Sequence, residues 1–262
     1  MKKQLLTLAF GICSIMLAFT ACRKDNDAGP SGSHTITCLP DSTFLEDGGK
    51  GIAIYDDQNR IIKTEEYDST GNLIGYSTVT YSDNKIILDS YRDGKLKDHG
   101  EYLLNEKGYI KSKYIIYYHD YTRYDTTLFT YDNDGYRIMD VYKDPSRNDT
   151  AIFKYQDGNL KTQEFIGWDG KSITTYTYST LENKGFNFIN DLGIPDLFGK
   201  GNKNLVESDI DVRPDGSTFS TTYSYQLNSD GLVTKYGFVA ISSRNPSEPY
   251  FMTEIGFLYR CK

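Results

Sequence analysis

Apolar and polar residues alternate along most of the chain. The alternation is clearest in "STVTYS" (77–82), "SITTYTYS" (172–179) and "STFSTTYSYQ" (217–226), where hydroxyl-bearing residues take turns with aromatic or aliphatic ones. A period of two sends successive side chains to opposite faces of a sheet, so these segments are predicted to be β-strands. No window sustains a capped helical period apart from "FINDLGIPDLFG" (188–199), where Pro195 and two glycines limit the prediction to one short helix or an ordered loop.

Clusters of Asp, Asn and Gly separate the apolar runs. Glycine recurs in these corners at 23-residue intervals, from Gly71 to Gly94 and from Gly135 to Gly158. Asp, Asn and Gly suit hairpin turns because Gly, and to a lesser degree Asn, tolerates a positive φ. Two strands and two turns account for the interval, so the repeat unit is predicted to be a β-hairpin.

The fold class predicted from this pattern is all-β, an antiparallel meander of hairpins in a single domain over residues 46–262. The chain contains 23 Tyr and 13 Phe but one Trp, and its mean hydropathy is −0.54. A conventional sandwich would bury two faces of Val, Leu and Ile, and this chain is leaner. The composition therefore favours a curved, barrel-like sheet with a narrow aromatic interior.

The N-terminus has the features of an export signal. Lys2 and Lys3 precede an uncharged apolar run over 5–19, and small residues then lead to Cys22. This arrangement predicts a signal peptide over residues 1–21. The run is shorter than the roughly 20 apolar residues of a membrane-spanning helix. "FTAC" (19–22) resembles a lipobox in which Cys22 carries the lipid, although Phe19 replaces the usual Leu.

Residues 22–45 are predicted to be the lipid-bearing Cys and a flexible tether, since "RKDNDAGPSGSHT" (23–35) has almost no large apolar groups. Its "KDND" resembles the acidic tag that directs lipoproteins to the cell exterior. Loss of the signal removes two lysines, so the formal charge falls from −7 to −9. Such an acidic chain is a poor candidate for nucleic acid binding. Its predicted membrane contact is the lipid anchor.

Two cysteines remain after lipidation and signal removal. Cys38 and Cys261 lie near the two ends of the predicted domain, in a compartment where disulfides persist. They are a candidate disulfide if the ends of the domain meet in space, and otherwise two separate thiols.

"LFTYDNDGYRIMD" (128–140) is the strongest metal candidate. Aligned with an EF-hand loop, it places Asp132 third, Asp134 fifth and Gly135 sixth, but it has Thr130 first and Val141 in place of the bidentate Glu. Hairpin corner chemistry explains the same residues. Zinc has no support, because His34, His99 and His119 show no ligand spacing. No metal or cofactor site is predicted.

Catalytic motifs are equally sparse. The chain has no Gly-x-Ser-x-Gly elbow, and "GKGNKN" (199–204) lacks the Walker spacing. Glu65 and Glu66 would point to opposite faces of a strand. Asp209 and Asp211 would share one face, where they are either an acid–base pair acting on a glycan or part of a solvated acidic strand. No catalytic residue is assigned.

The predicted strands have about the length of transmembrane β-strands, ~10 residues. However, "KTEEY" (63–67), "KLKDHGEY" (95–102) and "VESDIDVR" (206–213) put charges on both registers. A lipid anchor would also be redundant on an integral barrel. The pattern therefore disfavours a barrel embedded in the membrane.

Residues 46–262 resemble a Bacteroidales lipoprotein family of unknown function. The resemblance rests on the lipobox, on corners such as "YDSTGNLI" and "YDNDGYRI", and on "FGKGNKNLVES" (198–208) followed by "YSYQLNSDGLVTKY" (223–236). It implies a porin-like β-fold. It implies no catalytic residues.

The functional hypothesis is an exported lipoprotein anchored to the outer membrane, at the cell surface, that acts as a binding module for a glycan, lipid or peptide. Aromatic side chains lining the mouth of a sheet are common in such sites. The alternatives are a hydrolase acting on a cell-surface polymer and a scaffold subunit without a small ligand.

Overall fold

The computed structural model describes residues 38–45, 47–118, 122–144, 148–184, 197–247 and 249–261. These residues form sixteen strands. They are β1 Cys38–Leu45, β2 Lys50–Tyr55, β3 Ile61–Tyr67, β4 Leu73–Ser82, β5 Lys85–Arg92, β6 Lys95–Leu104, β7 Ile110–Tyr118, β8 Thr122–Tyr131, β9 Arg137–Lys143, β10 Asn148–Gln156, β11 Asn159–Gly167, β12 Gly170–Glu182, β13 Asn204–Val212, β14 Thr218–Leu227, β15 Val233–Ser242 and β16 Pro249–Cys261. No helix long and apolar enough to cross a membrane occurs in this part of the chain.

The sixteen strands form one closed barrel in which each strand pairs antiparallel with its sequence neighbours and β1 pairs with β16. The prediction of an all-β antiparallel hairpin meander with a barrel-like sheet is confirmed. The extensive strand–strand contacts all join ladder neighbours. The wall therefore encloses an interior, as in other barrels of this strand number.

The corner at residues 132–136 shows how the repeated turns are built. The backbone N–H groups of Asp132 and Gly135 donate to the carbonyls of Tyr136 and Asp132, at 2.9 and 3.2 Å. The Asp132 Oδ1 accepts the N–H of Tyr136 at 2.9 Å, and Gly135 has a φ of 91°. Only glycine adopts this φ without strain. The interpretation of this stretch as a hairpin corner is confirmed.

The strand β1 lies in the segment 22–45 that was predicted to be tether. Its eight residues, "CLPDSTFL", have no clear alternation, yet seven of them pair with β16. Backbone hydrogen bonds to a strand at the other end of the chain hold it in place. A local reading of composition does not detect that partner.

Burial distinguishes the two faces of the wall. On β10, Asp149, Ala151 and Phe153 are buried whereas Lys154 is exposed, so odd-numbered residues of this strand face inward. The outer face carries ion pairs between neighbouring strands. Lys154 and Lys171 both lie 2.8 Å from Glu164, and further pairs join Lys85 to Glu101 and Lys235 to Glu254. This outer face combines ion pairs with exposed apolar side chains, among them Ile54, Leu128 and Ile210.

Residues 197–203, named the strap, run along the rim at one end of the barrel, from the start of β7 to the corner between β10 and β11. The Leu197 carbonyl accepts the N–H of Ile110 at 2.7 Å, and the Lys200 N–H donates to the Gly135 carbonyl at 2.8 Å. The end of the barrel that carries the strap is named the "strap end", and it comprises the corners at 56–60, 83–84, 105–109, 132–136, 157–158 and 228–232. The "far end" comprises the described corners at 47–49, 68–72, 93–94, 168–169, 213–217 and 243–247. Of the helix or ordered loop predicted at 188–199, residues 188–196 lie outside the described residues, and 197–199 form a turn.

Three clusters of buried apolar residues lie inside the barrel. The largest is formed by Ile61, Ile86, Tyr102, Ile110 and Phe129 with Ala53 and Val79, and the strap residues Leu197 and Phe198 pack against it. The second contains Leu205, Val233, Tyr236 and Phe257, and the third Ala151, Phe153 and Leu160. Apolar packing is thus densest toward the strap end.

Candidate ligand-binding interior

Six tyrosines repeat one hydrogen bond around the strap end. Each lies on an even-numbered strand, and its hydroxyl donates to a backbone carbonyl of the preceding strand at 2.6 to 2.9 Å. The pairs of this tyrosine girdle are Tyr55 to Pro40, Tyr81 to Ile61, Tyr131 to Ile110, Tyr178 to Leu160, Tyr225 to Val206 and Tyr259 to Val233. Burial raises the pKa of five of these hydroxyls, those of Tyr81, Tyr131, Tyr178, Tyr225 and Tyr259. These hydroxyls hold neighbouring strands together, so the girdle is structural.

Arg137 breaks the apolar pattern at this level. In the strand register Arg137 lies opposite Tyr131. At the equivalent place in two other hairpins the residue opposite the tyrosine is apolar: Ile61 lies opposite Tyr55, and Leu160 opposite Tyr155. Its guanidinium lies 4.6 Å from the Phe153 ring centre, an arrangement that favours a cation over an aromatic face.

Asp140 is the inward-facing carboxylate beside Arg137. It is 1% exposed, its Oδ1 lies 3.6 Å from the Arg137 Nε, and the Tyr142 hydroxyl donates to its Oδ2 at 3.0 Å. Burial raises the pKa of Asp140, against the opposing effect of Arg137. The pair places two ionisable side chains in the interior, at the level of the girdle.

A polar surface faces the interior on β12, β13 and β14. Direct register pairs place Tyr176, Asp209 and Thr221 side by side, and Thr174 pairs with Asp211 two residues further on. Directly opposite residues share a sheet face. We name this surface the acidic wall, and it comprises Thr174, Tyr176, Asp209, Asp211, Thr221 and Tyr223.

Asp209 is the most buried carboxylate of the acidic wall. It is 8% exposed, and the Tyr223 hydroxyl donates to its Oδ2 at 2.5 Å. Burial raises the pKa of Asp209, and the hydrogen bonds from Tyr223 and Thr221 oppose that rise. The same burial, together with the bond to Asp209, raises the pKa of Tyr223.

Asp211 is more accessible and makes weaker contacts. Its Oδ1 accepts the Thr174 hydroxyl at 3.2 Å, and its Oδ2 lies 3.6 Å from the Arg213 Nε. The Arg213 guanidinium stacks 3.8 Å from the ring centre of Phe219. Asp211 therefore retains acceptor capacity beside an aromatic face.

Aromatic rings of β15 adjoin the acidic wall. Tyr223 stacks on Tyr236 with ring centres 6.0 Å apart and lies 6.2 Å from Phe238. Tyr176 and Tyr223 are both partly exposed. Carboxylates, hydroxyls and partly exposed rings thus occur on one inward surface.

Tyr176 also lines a cavity of ≈ 280 Å³ beside the strap-end corner at 157–158. The other lining residues are Gln156, Asp157, Asn159, Lys161, Thr177 and Tyr178. Four of them, Gln156, Asp157, Lys161 and Thr177, are exposed.

The two acidic pairs singled out in the sequence are arranged differently in the sheet. Asp209 and Asp211 share the inner face, as predicted. Glu65 and Glu66 occupy opposite faces, also as predicted, and Glu65 is held on the outside by Lys63 at 2.7 Å.

The remaining candidates are dispersed. His99 lies on the outer face of β6, with its Nδ1 2.6 Å from the Asp89 Oδ1, while His34 and His119 lie outside the described residues. No group of three or more His, Cys, Asp or Glu that could hold a metal ion occurs in the described part of the chain. Cys22 lies outside it as well. The backbone places Cys38 opposite Cys261.

Sequence reasoning did not find the girdle or the Arg137–Asp140 pair. The girdle left a signal, because Tyr55 and Tyr131 each stand directly before the Asp of a corner, in "YDDQN" and "YDNDG". The signal is not specific, because Tyr67 also stands directly before a corner Asp and its hydroxyl bonds Glu65 instead. No comparable sequence signal marks Arg137, because the aromatic rings beside its guanidinium belong to other segments of the chain.

Comparisons with known proteins identify the fold. No protein-family model matches the chain, and no curated protein matches its sequence. A porin-like protein from Bacteroides uniformis ATCC 8492 is similar over 84% of this chain and 96% of its own, with a TM-score of 0.59 and 16% identity. A second, from Bacteroides vulgatus ATCC 8482, is similar over 84% and 98%, with a TM-score of 0.56 and 13% identity. This chain is therefore similar in fold to porin-like proteins of Bacteroides.

Proposed function

We propose that this chain is an outer-membrane lipoprotein, exported and held by a lipid on Cys22, whose barrel binds a glycan in its interior. The N-terminal sequence and the fold shared with porin-like proteins of Bacteroides support export to the outer membrane. The ion pairs on the outer face support attachment by a lipid rather than by insertion of the barrel. The resemblance to a Bacteroidales lipoprotein family points the same way.

The acidic wall is the observation that carries the binding proposal. Carboxylate and hydroxyl oxygens accept hydrogen bonds from sugar hydroxyls, and the partly exposed ring of Tyr176 is the wall's candidate for sugar stacking. A lipid chain would strip water from Asp211 without replacing its hydrogen bonds, which is costly. A ligand rich in hydroxyl groups matches the wall better than a lipid does.

Binding is tested with the chain from residue 23 onward and a panel of neutral oligosaccharides in calorimetric titrations. We expect one of them to bind, and Asp211→Asn to weaken it about tenfold or more, because a hydrogen bond to a charged group contributes about 1.5–3 kcal/mol. Asp89→Asn is the matched control, since Asp89 has similar exposure (28% against 25%) on the outer face. Equal weakening by both variants, or no binding at all, contradicts the proposal.

The anchor is tested separately. Cys22→Ala is expected to move the protein from the membrane fraction to the soluble fraction. Full membrane retention of this variant would refute the anchor without touching the glycan proposal.

One feature favours hydrolysis as a second candidate function. Asp209 combines a raised pKa with an ionisable neighbour, Asp211, on the same inward face, which is how a general acid is often positioned. If a bound glycan is also cleaved, new reducing ends will accumulate over time, and Asp209→Asn will stop their release while binding persists. A ligand recovered intact after prolonged incubation excludes this candidate.

A further inference from the structure

The first and last strands of the barrel carry a pair of opposite cysteines. Cys38 is the first residue of β1 and Cys261 the last residue of β16, and the register of these strands pairs the two directly. About 220 residues of sequence separate them. The other two cysteines, Cys13 and Cys22, lie in the predicted signal and at the predicted lipid site.

The register brings the two backbones to disulfide distance. Directly opposite residues of an antiparallel pair have Cα atoms about 4.5 or 5.5 Å apart. Disulfides span Cα separations of about 4.4–6.8 Å. Both kinds of antiparallel pair fall within this window. Directly opposite residues also share a face of the sheet, which a bridge requires.

The seam between the chain ends is weakly held on one side. The strand β1 pairs with β16 over seven residues but with β2 over three, Ser42 to Phe44. Beyond those three pairs, the Tyr55 hydroxyl bonds the Pro40 carbonyl at 2.6 Å. The first residues of β1 therefore depend mainly on β16, and a covalent link at Cys38 would act where the ladder is thinnest.

We propose that Cys38 and Cys261 form a disulfide that closes the barrel seam. Each thiol loses a proton and the two sulfurs form one bond by exchange with a disulfide-donor protein of the exported compartment. The donor's disulfide accepts the two electrons and the two protons and leaves as two thiols. The supply of that oxidant rests on the proposed export, whereas the pairing rests on the barrel register alone.

The bond is tested by peptide mass spectrometry on the full chain. Cells are lysed in an alkylating reagent, and we expect the Cys38 and Cys261 peptides to be joined until dithiothreitol separates them. In a second arm the purified, reduced chain is exposed to oxidised glutathione. Bridging in the second arm alone supports the disulfide and contradicts export. Alkylation of both cysteines in both arms overturns the disulfide.

Stability supplies an independent readout. A disulfide that closes so long a loop constrains the unfolded chain strongly, so we expect Cys38→Ser to lower the melting temperature by about 5–15 °C. Cys261→Ser and the double variant should show the same loss, and dithiothreitol should lower the wild type to that level and leave all three variants unchanged. Additive losses that do not respond to dithiothreitol would show two independent thiols and overturn the proposal.

Discussion

Two tyrosines on β14 show how the two halves of the barrel interior differ. Tyr225 and Tyr223 lie two residues apart on the same inward face, and both are partly exposed. The Tyr225 hydroxyl donates to the Val206 carbonyl, as the rest of the girdle does with its own carbonyls. The Tyr223 hydroxyl donates to Asp209. Both bonds join β14 to β13, but the first ends on a backbone carbonyl and the second on an ionisable side chain.

The difference extends to the ends of the molecule. At the strap end, the girdle and the strap form hydrogen bonds with backbone groups, and apolar residues pack in the interior. Toward the far end, the acidic wall keeps partly exposed acceptors and rings. Structural and functional candidates are thus largely separated along the barrel axis, and the Arg137–Asp140 pair is the exception at the level of the girdle.

The largest expected effect comes from breaking the strap end. A Cβ added at Gly199 would lie 2.4 Å from the Gly135 carbonyl and 2.9 Å from the Tyr131 ring. Gly216, in a far-end corner, has a similar φ of 79° and nothing within 4 Å of an added Cβ. We expect Gly199→Ala to cost about 3 kcal/mol and Gly216→Ala about 1 kcal/mol of unfolding free energy.

Urea denaturation of the two variants measures the difference. Because both glycines have a positive φ, subtraction removes the cost of the backbone conformation and leaves the clash with the strap's neighbours. Equal losses of unfolding free energy would mean that the strap accommodates the added methyl group without cost.

The two tyrosines of β14 are expected to give an intermediate effect that separates their roles. Tyr225→Phe removes a neutral hydrogen bond and should cost about 1 kcal/mol at any pH. Tyr223→Phe should cost about 1–2 kcal/mol at pH 7, because it removes the donor to a buried carboxylate. That loss should shrink in acid as Asp209 becomes protonated. Stability curves at several pH values test this, and identical pH profiles would remove the distinction.

The smallest expected effects are changes of folding stability with pH, which have opposite signs for Asp209 and Asp68. The folded-state pKa of Asp209 is raised by burial, so the folded state binds its proton more readily and stability falls as pH rises above the ordinary value of 3.8. Hydrogen bonds from Thr70 and Asn72 lower the pKa of Asp68, in a far-end corner, to about 2. Its contribution is present above 3.8 and is lost as pH falls toward 2.

Substitution by Asn removes each dependence. We expect Asp209→Asn to make stability fall less between pH 4 and neutrality, and Asp68→Asn to make it fall less between pH 4 and pH 2. Melting temperatures across this range test both signs. A steeper fall above pH 4 in Asp209→Asn would contradict the assigned direction.

Much of the fold could be predicted from local signals. Alternation in 172–179 and 217–226 predicts β12 and β14, and the Asp-Gly corners predict their hairpins. The shared face of Asp209 and Asp211 follows from the strand period alone. The strand β1 could not be predicted in this way, because "CLPDSTFL" becomes a strand through pairing with β16. The burial of Asp209 also depends on neighbouring strands.

Local sequence signals specify the hairpin unit, its repetition and the alternation of faces, because turn residues and period-two patterns act within a few residues. Long-range contacts account for the closure of the sixteen strands, the register pair of Cys38 with Cys261, the strap's hydrogen bonds and the raised pKa of Asp209. Each of these joins residues distant in sequence, so hydrogen bonding, burial and electrostatics act on them only once the barrel has closed.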